Sequence, residues 1–175
     1  FIESFDDVNF DANTSGWFGE VLLDSAEARR TYKTRRPNSW ELGTPTGTNI
    51  NSAASGSNAW STTGNGSTFF DNEESWLYTP AFAISTMNKL MIRFNSNYKF
   101  DSNNDGVVLQ YSIDNGFDWK PLGNKASTTA EATGLEWYNN TDVRSDPGNQ
   151  ETFDGGANRP GWSGSHNEGV AWRSS

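Results

Sequence analysis

The sequence predicts an all-β protein, a two-sheet antiparallel β-sandwich of the jelly-roll type with almost no helix. Three observations predict this class: apolar and polar residues alternate, turn-forming residues separate the alternating segments, and aromatic residues are abundant. Hydrophobic residues make up only 33% of the chain, yet aromatic residues reach 14% and include eight tryptophans. Because disordered chains are poor in aromatic residues, this composition indicates a folded domain whose core uses a few large rings.

The clearest alternation lies in the middle of the chain. Apolar residues fall at every second position from Leu90 to Phe94 within Lys89–Phe100, and from Val107 to Tyr111 within Gly106–Ser112. This period is typical of antiparallel strands with one buried face. Shorter strand candidates are Phe1–Asp6, Trp17–Leu22, Ser39–Leu42, Ala59–Thr62, Trp76–Tyr78, Ala81–Ile84, Leu135–Tyr138 and Val170–Trp172. Many short strands between turn clusters favour a sandwich or jelly roll.

Length, charge and cysteine content limit the possible functions. The 175 residues fit one domain, so we expect a single domain over 1–175. The net charge of −9 disfavours nucleic acid as a partner, because phosphate binding needs a basic surface. Cysteine is absent, which excludes disulfides and cysteine-based zinc sites. No apolar run approaches the ~20 residues of a membrane helix, so no membrane insertion is expected.

The most specific motif is Ser-x-Asp-x-Gly-x-x-Trp, which begins at Ser112. Its Asp114 can accept hydrogen bonds from backbone N–H groups across a turn, because a short carboxylate reaches nearby amides. Gly116 permits a positive φ, and Trp119 can fold back over the base of a hairpin. We interpret these four residues as a structural element that lies away from any reaction centre.

A second candidate site lies just before this motif, between the two best strand candidates. Oxygen-bearing side chains at alternate positions, Asp101, Asn103 and Asp105, are typical of the start of a calcium loop. An EF-hand needs Glu at the twelfth position, where this chain has Ser112, so an EF-hand is excluded. Two interpretations stay open: a calcium site that uses Asp105 and ligands from elsewhere, or a polar hairpin closed by a type I′ turn at Asp105 and Gly106.

No set of residues predicts catalysis. Glu73 and Glu74 are adjacent, so in a strand they point to opposite faces, which is wrong for a pair of glycosidase carboxylates. The single histidine, His166, lies in no nucleophile motif. For ligand binding, the tryptophans beside loops, Trp137 and Trp162, are the best surface candidates, whereas those in strand-like segments are expected in the core.

Several short segments, taken in chain order, resemble one family. They are Phe5-Asp6-Asp7 with Ser15-Gly16-Trp17, Trp40 to Pro45, Ala54 to Thr62, Ser75 to Phe82, Asp105 to Ser112, and Gly161-Trp162-Ser163-Gly164. Together they resemble the MAM-like jelly-roll domains of large secreted or cell-surface bacterial proteins, especially from the Bacteroidetes group. The stretch from Asp105 through the Ser-x-Asp-x-Gly-x-x-Trp motif, which resembles an Asp-box, is also similar to reelin subrepeats. The likeness covers nearly the whole chain.

This resemblance implies a jelly roll with a structural calcium near its first strand, in extracellular or cell-surface proteins. By position, Asp105 takes the family's acidic position, and Asp6 or Asp7 takes the acidic end of the first strand. We therefore expect a non-catalytic, calcium-stabilised adhesion or recognition module, which binds neighbouring domains and a cell-surface glycan or protein. The alternative is a carbohydrate-binding accessory module of a secreted glycosidase or peptidase, and a third interpretation is a jelly-roll glycoside hydrolase or lyase. Such domains usually continue into a further strand, so the chain is expected to be part of a longer protein.

If calcium is structural, its removal will lower thermal stability. A site filled at about 100 times its dissociation constant stabilises the folded state by about 2.7 kcal/mol. We therefore expect a chelator to lower the melting temperature by several degrees, and added calcium to restore it, in melts followed by circular dichroism. An unchanged melting temperature would remove calcium from the interpretation.

Overall fold

Strands are the only regular secondary structure in the described part of the chain. The computed structural model describes residues 16–21, 39–62, 68–70, 73–85, 90–123, 137–150, 158–165 and 173–174. Every strand pair in these ranges is antiparallel. The all-β prediction is confirmed for these residues. The pairs are two-stranded, and they do not by themselves form the two sheets of a sandwich.

The strands are two to four residues long. In chain order they are β1 (Phe18–Val21), β2 (Glu41–Gly43), β3 (Ala59–Ser61), β4 (Ser75–Tyr78), β5 (Asn95–Ser96), β6 (Gly106–Val107), β7 (Gln110–Tyr111), β8 (Lys120–Pro121), β9 (Trp162–Ser163) and β10 (Arg173–Ser174). They pair as β1 with β4, β2 with β3, β5 with β10, β6 with β9, and β7 with β8. Two compact units divide the chain, Phe1–Met87 and Asn88–Ser175. This division does not test the single-domain prediction, which stays a prediction.

In the first unit, one carboxylate accepts hydrogen bonds from separate segments of the chain. The Glu73 carboxylate accepts hydrogen bonds from the backbone N–H and hydroxyl of Ser39, at 3.1 and 2.7 Å. It also accepts from the Ser75 hydroxyl at 2.8 Å and the Phe70 N–H at 3.1 Å. Ser39 is buried, so its polar groups need these partners. Glu73 therefore joins the segment before β2 to the start of β4.

The second unit is built on the close approach of β6 and β9. Val107 pairs with Trp162, and the side chain of Val143 beside them is fully buried. A Cβ atom on Gly161 would lie 2.8 Å from the Val107 carbonyl oxygen, and one on Gly106 would lie 2.6 Å from the Trp162 carbonyl oxygen. The two backbones can approach this closely only because glycine occupies both positions.

Aromatic rings form the core of this unit. The Trp162 ring lies 4.5 Å from Tyr138, 5.3 Å from Trp137 and 5.7 Å from Phe94, measured between ring centroids. Buried Tyr98 belongs to the same cluster. Edge-to-face contacts at these distances stabilise aromatic pairs beyond the area that they bury. The prediction of a core made from a few large rings is therefore confirmed for the described residues of this unit.

The two best strand candidates, Lys89–Phe100 and Gly106–Ser112, contain shorter strands than predicted. Of the described residues 90–100, only Asn95–Ser96 is a strand, and Leu90, Met91 and Ile92 are exposed outside it. The described segment Ala81–Ile84 forms no strand. Alternation shows that a segment can be extended, but a strand also needs a hydrogen-bonding neighbour, which a local pattern does not specify. The candidate Phe1–Asp6 lies outside the described residues.

Gly161 tests the close approach of β6 and β9. We expect Gly161→Ala to lower the free energy of unfolding by about 1–3 kcal/mol, the usual cost of an extra methyl in a tightly packed site. Denaturant unfolding will measure the change. The matched control is Gly43→Ala in β2, where a new Cβ would have no atom within 4 Å. Equal stability losses in the two variants would contradict the close packing of β6 and β9.

Candidate functional site

The β7–β8 hairpin carries the Ser-x-Asp-x-Gly-x-x-Trp motif. Tyr111 pairs with Lys120 across the two strands, so the motif forms the loop between them. Its aspartate, Asp114, accepts a hydrogen bond from the Phe117 N–H at 3.1 Å and bonds from the Asp118 N–H at 3.0 and 3.1 Å. The predicted role of Asp114, accepting backbone N–H groups across the turn, is confirmed.

Ser112 closes the first half of this loop. Its hydroxyl donates to the Asp114 carboxylate at 2.7 Å and accepts the Gly116 N–H at 2.8 Å. Asn115 and Gly116 have φ values of 64° and 84°, so both adopt the left-handed conformation. Gly116 is placed where its lack of a Cβ removes the strain of this conformation, as the motif predicted.

Trp119 covers the turn from its other side. Its indole N–H donates to the Gly116 carbonyl oxygen at 3.1 Å. A Cβ on Gly116 would lie 3.5 Å from the indole ring, so ring and backbone are in van der Waals contact. Trp119 therefore folds back onto Gly116 in the turn, whereas the prediction placed it over the base of the hairpin. All the partners that close the loop lie within the motif, which is why its spacing alone predicted them.

The loop's hydrogen bonds favour the charged form of its central carboxyl. The Ser112 hydroxyl has the largest effect on the pKa of Asp114 and lowers it, and the Asp118 N–H lowers it further. Both donors bind the ionised carboxylate more strongly than the neutral acid. Asp114 is therefore negatively charged at neutral pH and serves as a fixed acceptor at the centre of the turn.

Two of the exposed residues of the loop are large and apolar. Ile113 is 80% exposed and Phe117 is 87% exposed. Both occupy variable positions of the motif, so sequence reasoning did not select them. The signal that could have found them is the combination of two large apolar residues with a turn that the motif holds together. The hairpin thus presents two apolar side chains on a backbone that is already ordered.

Residues 101–105, the predicted calcium loop, are held by the chain's own amides and hydroxyls. The Asp101 carboxylate accepts from the Asn104 side-chain amide at 2.7 Å, and the Asn103 side-chain oxygen accepts from Asn140 at 2.6 Å. The Ser163 hydroxyl donates to the Asp105 carbonyl oxygen at 2.6 Å. No group of three acidic or histidine side chains converges within the residues that the structure describes. Asp6 and Asp7 lie outside those residues, so the calcium site stays a prediction.

The hairpin alternative for this loop is wrong. A type I′ turn at Asp105 and Gly106 needs positive φ at both residues, but the positive φ of 65° is at Asn103. The flanking strands also do not pair with each other, since β5 pairs with β10 and β6 with β9. Instead, the Asp105 N–H donates to the Asp101 carbonyl oxygen at 2.9 Å and closes a wider turn.

An ion pair that the sequence did not predict joins two further segments of the second unit. The Arg159 guanidinium donates to the Asp142 carboxylate at 2.6 Å. This hydrogen bond is the largest cause that holds the pKa of Asp142 below its usual range. The pair links the segment around residue 142 to the segment that leads into β9. Only the folded chain brings these two segments together.

One of the two tryptophans predicted as surface ligands is in the core. Trp162 is 3% exposed, so its ring cannot stack on a ligand from solvent, and the prediction for Trp162 is wrong. Its pairing with Val107 turns the ring toward the aromatic cluster. Trp137 packs against that cluster and is half-buried, and its role in ligand binding stays a prediction. The tryptophans expected in the core are themselves only half-buried: Trp17, Trp40, Trp60, Trp76 and Trp119.

Comparisons with known proteins found no relative of this chain. No protein-family model, no curated protein and no solved structure matches it. The likeness to MAM-like domains therefore stays a prediction that rests on the short sequence segments. Within the described residues, no helix has the length and hydropathy of a membrane span.

The charge state of Asp114 gives a pH-dependent test of the hairpin. Because its folded-state pKa is lowered, its stabilising effect is complete above the ordinary aspartate value of about 4 and is lost as the pH falls through the lower folded value. We expect the amide signals of Phe117 and Asp118 in NMR spectra to change with a midpoint below the ordinary value. Asp114→Asn should abolish this change, and Asp118→Asn should keep it. A midpoint at or above the ordinary value would contradict the network.

Proposed function

We propose that this chain is a non-catalytic recognition or adhesion module of a larger extracellular or cell-surface protein. The observation that carries the proposal is the Asp-box hairpin. Its loop is closed by Asp114 and Ser112, while Ile113 and Phe117 remain in water. Large apolar side chains held in solvent by an ordered element are typical of surfaces that bind other molecules.

The order of the loop favours binding energetically. Burial of a large apolar side chain contributes about 1.5–3 kcal/mol, and Phe117 has most of its surface still exposed. A flexible loop would lose conformational entropy when it bound, which offsets part of this gain. Here the turn is already closed by hydrogen bonds of Asp114 and Trp119, so less of the gain is lost.

We place this hairpin in a calcium-stabilised jelly roll. The antiparallel pairs and the alternation of apolar residues support a sandwich of two sheets. The likeness of the short segments to MAM-like domains supports the jelly-roll topology, the extracellular location and a structural calcium ion. In this arrangement calcium stabilises the module, and the hairpin tip binds the partner.

A carbohydrate-binding accessory module is the second candidate. Tyr111 at the end of β7 is 40% exposed and lies in the same hairpin as Phe117. Aromatic rings that are open to solvent are the side chains on which sugar rings stack, because both surfaces are apolar. Trp137, which is half-buried, is the other ring that favours this function.

An adhesion assay tests the proposed function. Beads coated with the chain pass in flow over immobilised extracellular glycoproteins and over the same glycoproteins after enzymatic removal of their glycans. We expect retention on at least one surface, and a decrease of about tenfold with Phe117→Ser, because the lost burial corresponds to about 1.4 kcal/mol. The matched control is Leu90→Ser, which changes a residue that is 56% exposed outside the hairpin.

The two candidate functions give different results. Retention that survives the removal of glycans indicates recognition of protein, whereas retention that disappears with the glycans indicates a carbohydrate-binding module. If coated and bare beads are retained equally on every surface, the chain is not an adhesion module for this class of target. An equal effect of Phe117→Ser and Leu90→Ser would place the binding surface outside the hairpin.

A further inference from the structure

The hairpin tip combines apolar side chains with negative charge. The motif from Ser112 to Trp119 contains two carboxylates, Asp114 and Asp118, and no basic residue. Asp114 accepts hydrogen bonds from the loop, but these bonds leave its negative charge in place. Asp118 contributes its backbone N–H to the network and is exposed. The loop itself therefore supplies no positive charge to neutralise the two carboxylates.

We propose that this tip inserts into an apolar pocket of a protein partner whose rim carries lysine or arginine side chains. The inference rests on the proposed function and names the chemistry of the partner. Phe117 and Ile113 fill the pocket, and the carboxylate of Asp118 pairs with the basic rim. Complementary charge of this kind guides the approach of two proteins and selects against partners of the same sign.

The charge of the chain argues against the other occupants of the tip. An anionic membrane surface repels both carboxylates and a chain whose net charge is −9. A second copy of the chain carries the same net charge, so self-association through the tip is opposed as well. Acidic glycans are repelled for the same reason. A basic rim removes this repulsion and turns it into attraction.

The apolar side chains at the tip favour a pocket over a sugar. Sugars stack on flat rings, but Ile113 is aliphatic and is 80% exposed. Neither side chain has a polar atom that could bind a hydroxyl group. Two large apolar side chains, four positions apart in one loop, lose most contact with water when a concave apolar surface encloses both. A pocket therefore encloses both side chains, whereas a sugar would stack only on the ring of Phe117.

Cyclodextrins provide defined probes of this chemistry, because each has an apolar cavity that accepts a phenyl ring. Titrations of the chain with amino-substituted, neutral and carboxymethyl β-cyclodextrin, followed by NMR of the Phe117 and Asp118 amides, will compare basic, neutral and acidic rims. We expect the basic rim to bind about two- to fivefold more tightly than the neutral rim, the ratio that one exposed ion pair gives, and the acidic rim most weakly.

Variants separate the apolar and the charged contributions. Phe117→Ser should abolish the shifts with all three cyclodextrins. Asp118→Asn should keep the binding of the neutral cyclodextrin and reduce the preference for the basic rim. Leu90→Ser, outside the hairpin, should change neither. If the three rims bind equally, or if Asp118→Asn leaves the preference unchanged, the proposed basic rim is wrong.

Vesicles test the membrane as the occupant. Sedimentation with phosphatidylcholine vesicles, with and without phosphatidylserine, should leave the chain in solution. Sedimentation that Phe117→Ser prevents would overturn the protein pocket and identify a lipid surface. The adhesion assay stays independent of these results: retention that depends on Phe117 without any rim preference contradicts the basic pocket alone, whereas loss of all retention contradicts the proposed function.

Discussion

Because the strands of the described residues are only two to four residues long, several backbone groups there are paired by side chains. The hydroxyl of Tyr138 accepts the N–H of Leu109 at 3.2 Å and donates to its carbonyl at 3.1 Å, as a neighbouring strand would do. Burial raises the pKa of the Tyr138 phenol, so the hydroxyl keeps the proton that it donates. Ser163 and Glu73 serve other backbone groups in the same way. A buried backbone group without a partner is costly, so these polar side chains are as necessary to the fold as its apolar ones.

The β7–β8 hairpin is the most complete example of this rule and connects the fold to the proposed function. Asp114 and Ser112 satisfy the amides of a turn that the short β7–β8 pair could not hold alone. The inward positions of the motif are all used for this purpose. The side chains of Ile113 and Phe117 take no part in these hydrogen bonds and are exposed. The residues that close the loop and the residues proposed to bind a partner are therefore different ones.

The core of the second unit is built from aromatic rings, in a chain where hydrophobic residues make up only 33%. Trp162 reaches the centre of the second unit because β9 pairs with β6, where glycines allow the two backbones to approach closely. Its neighbours in sequence, Gly161, Ser163 and Gly164, are residues typical of loops, and this composition led to its prediction as a surface ring. Gln150, a polar residue, is likewise buried at 1% exposure, because its amide donates to the carbonyls of Pro147 and Pro160 inside the unit. Burial here depends on the pairing partner and not on the local composition.

What the sequence determined by itself is the hairpin and the class of the fold. The contacts of Asp114 and Trp119 span at most four residues, so spacing and turn chemistry are sufficient to predict them. Alternation likewise predicted strands, and the described residues are all-β. Only the tertiary structure decided which strands pair, which tryptophan is buried, and how the Asp101–Asp105 loop is closed. Its key contact joins Ser163 to Asp105 across 58 positions, a separation at which no local pattern specifies the partner. The hairpin that seemed purely structural in sequence also gained its exposed tip at this level, because exposure depends on everything that packs, or does not pack, around it.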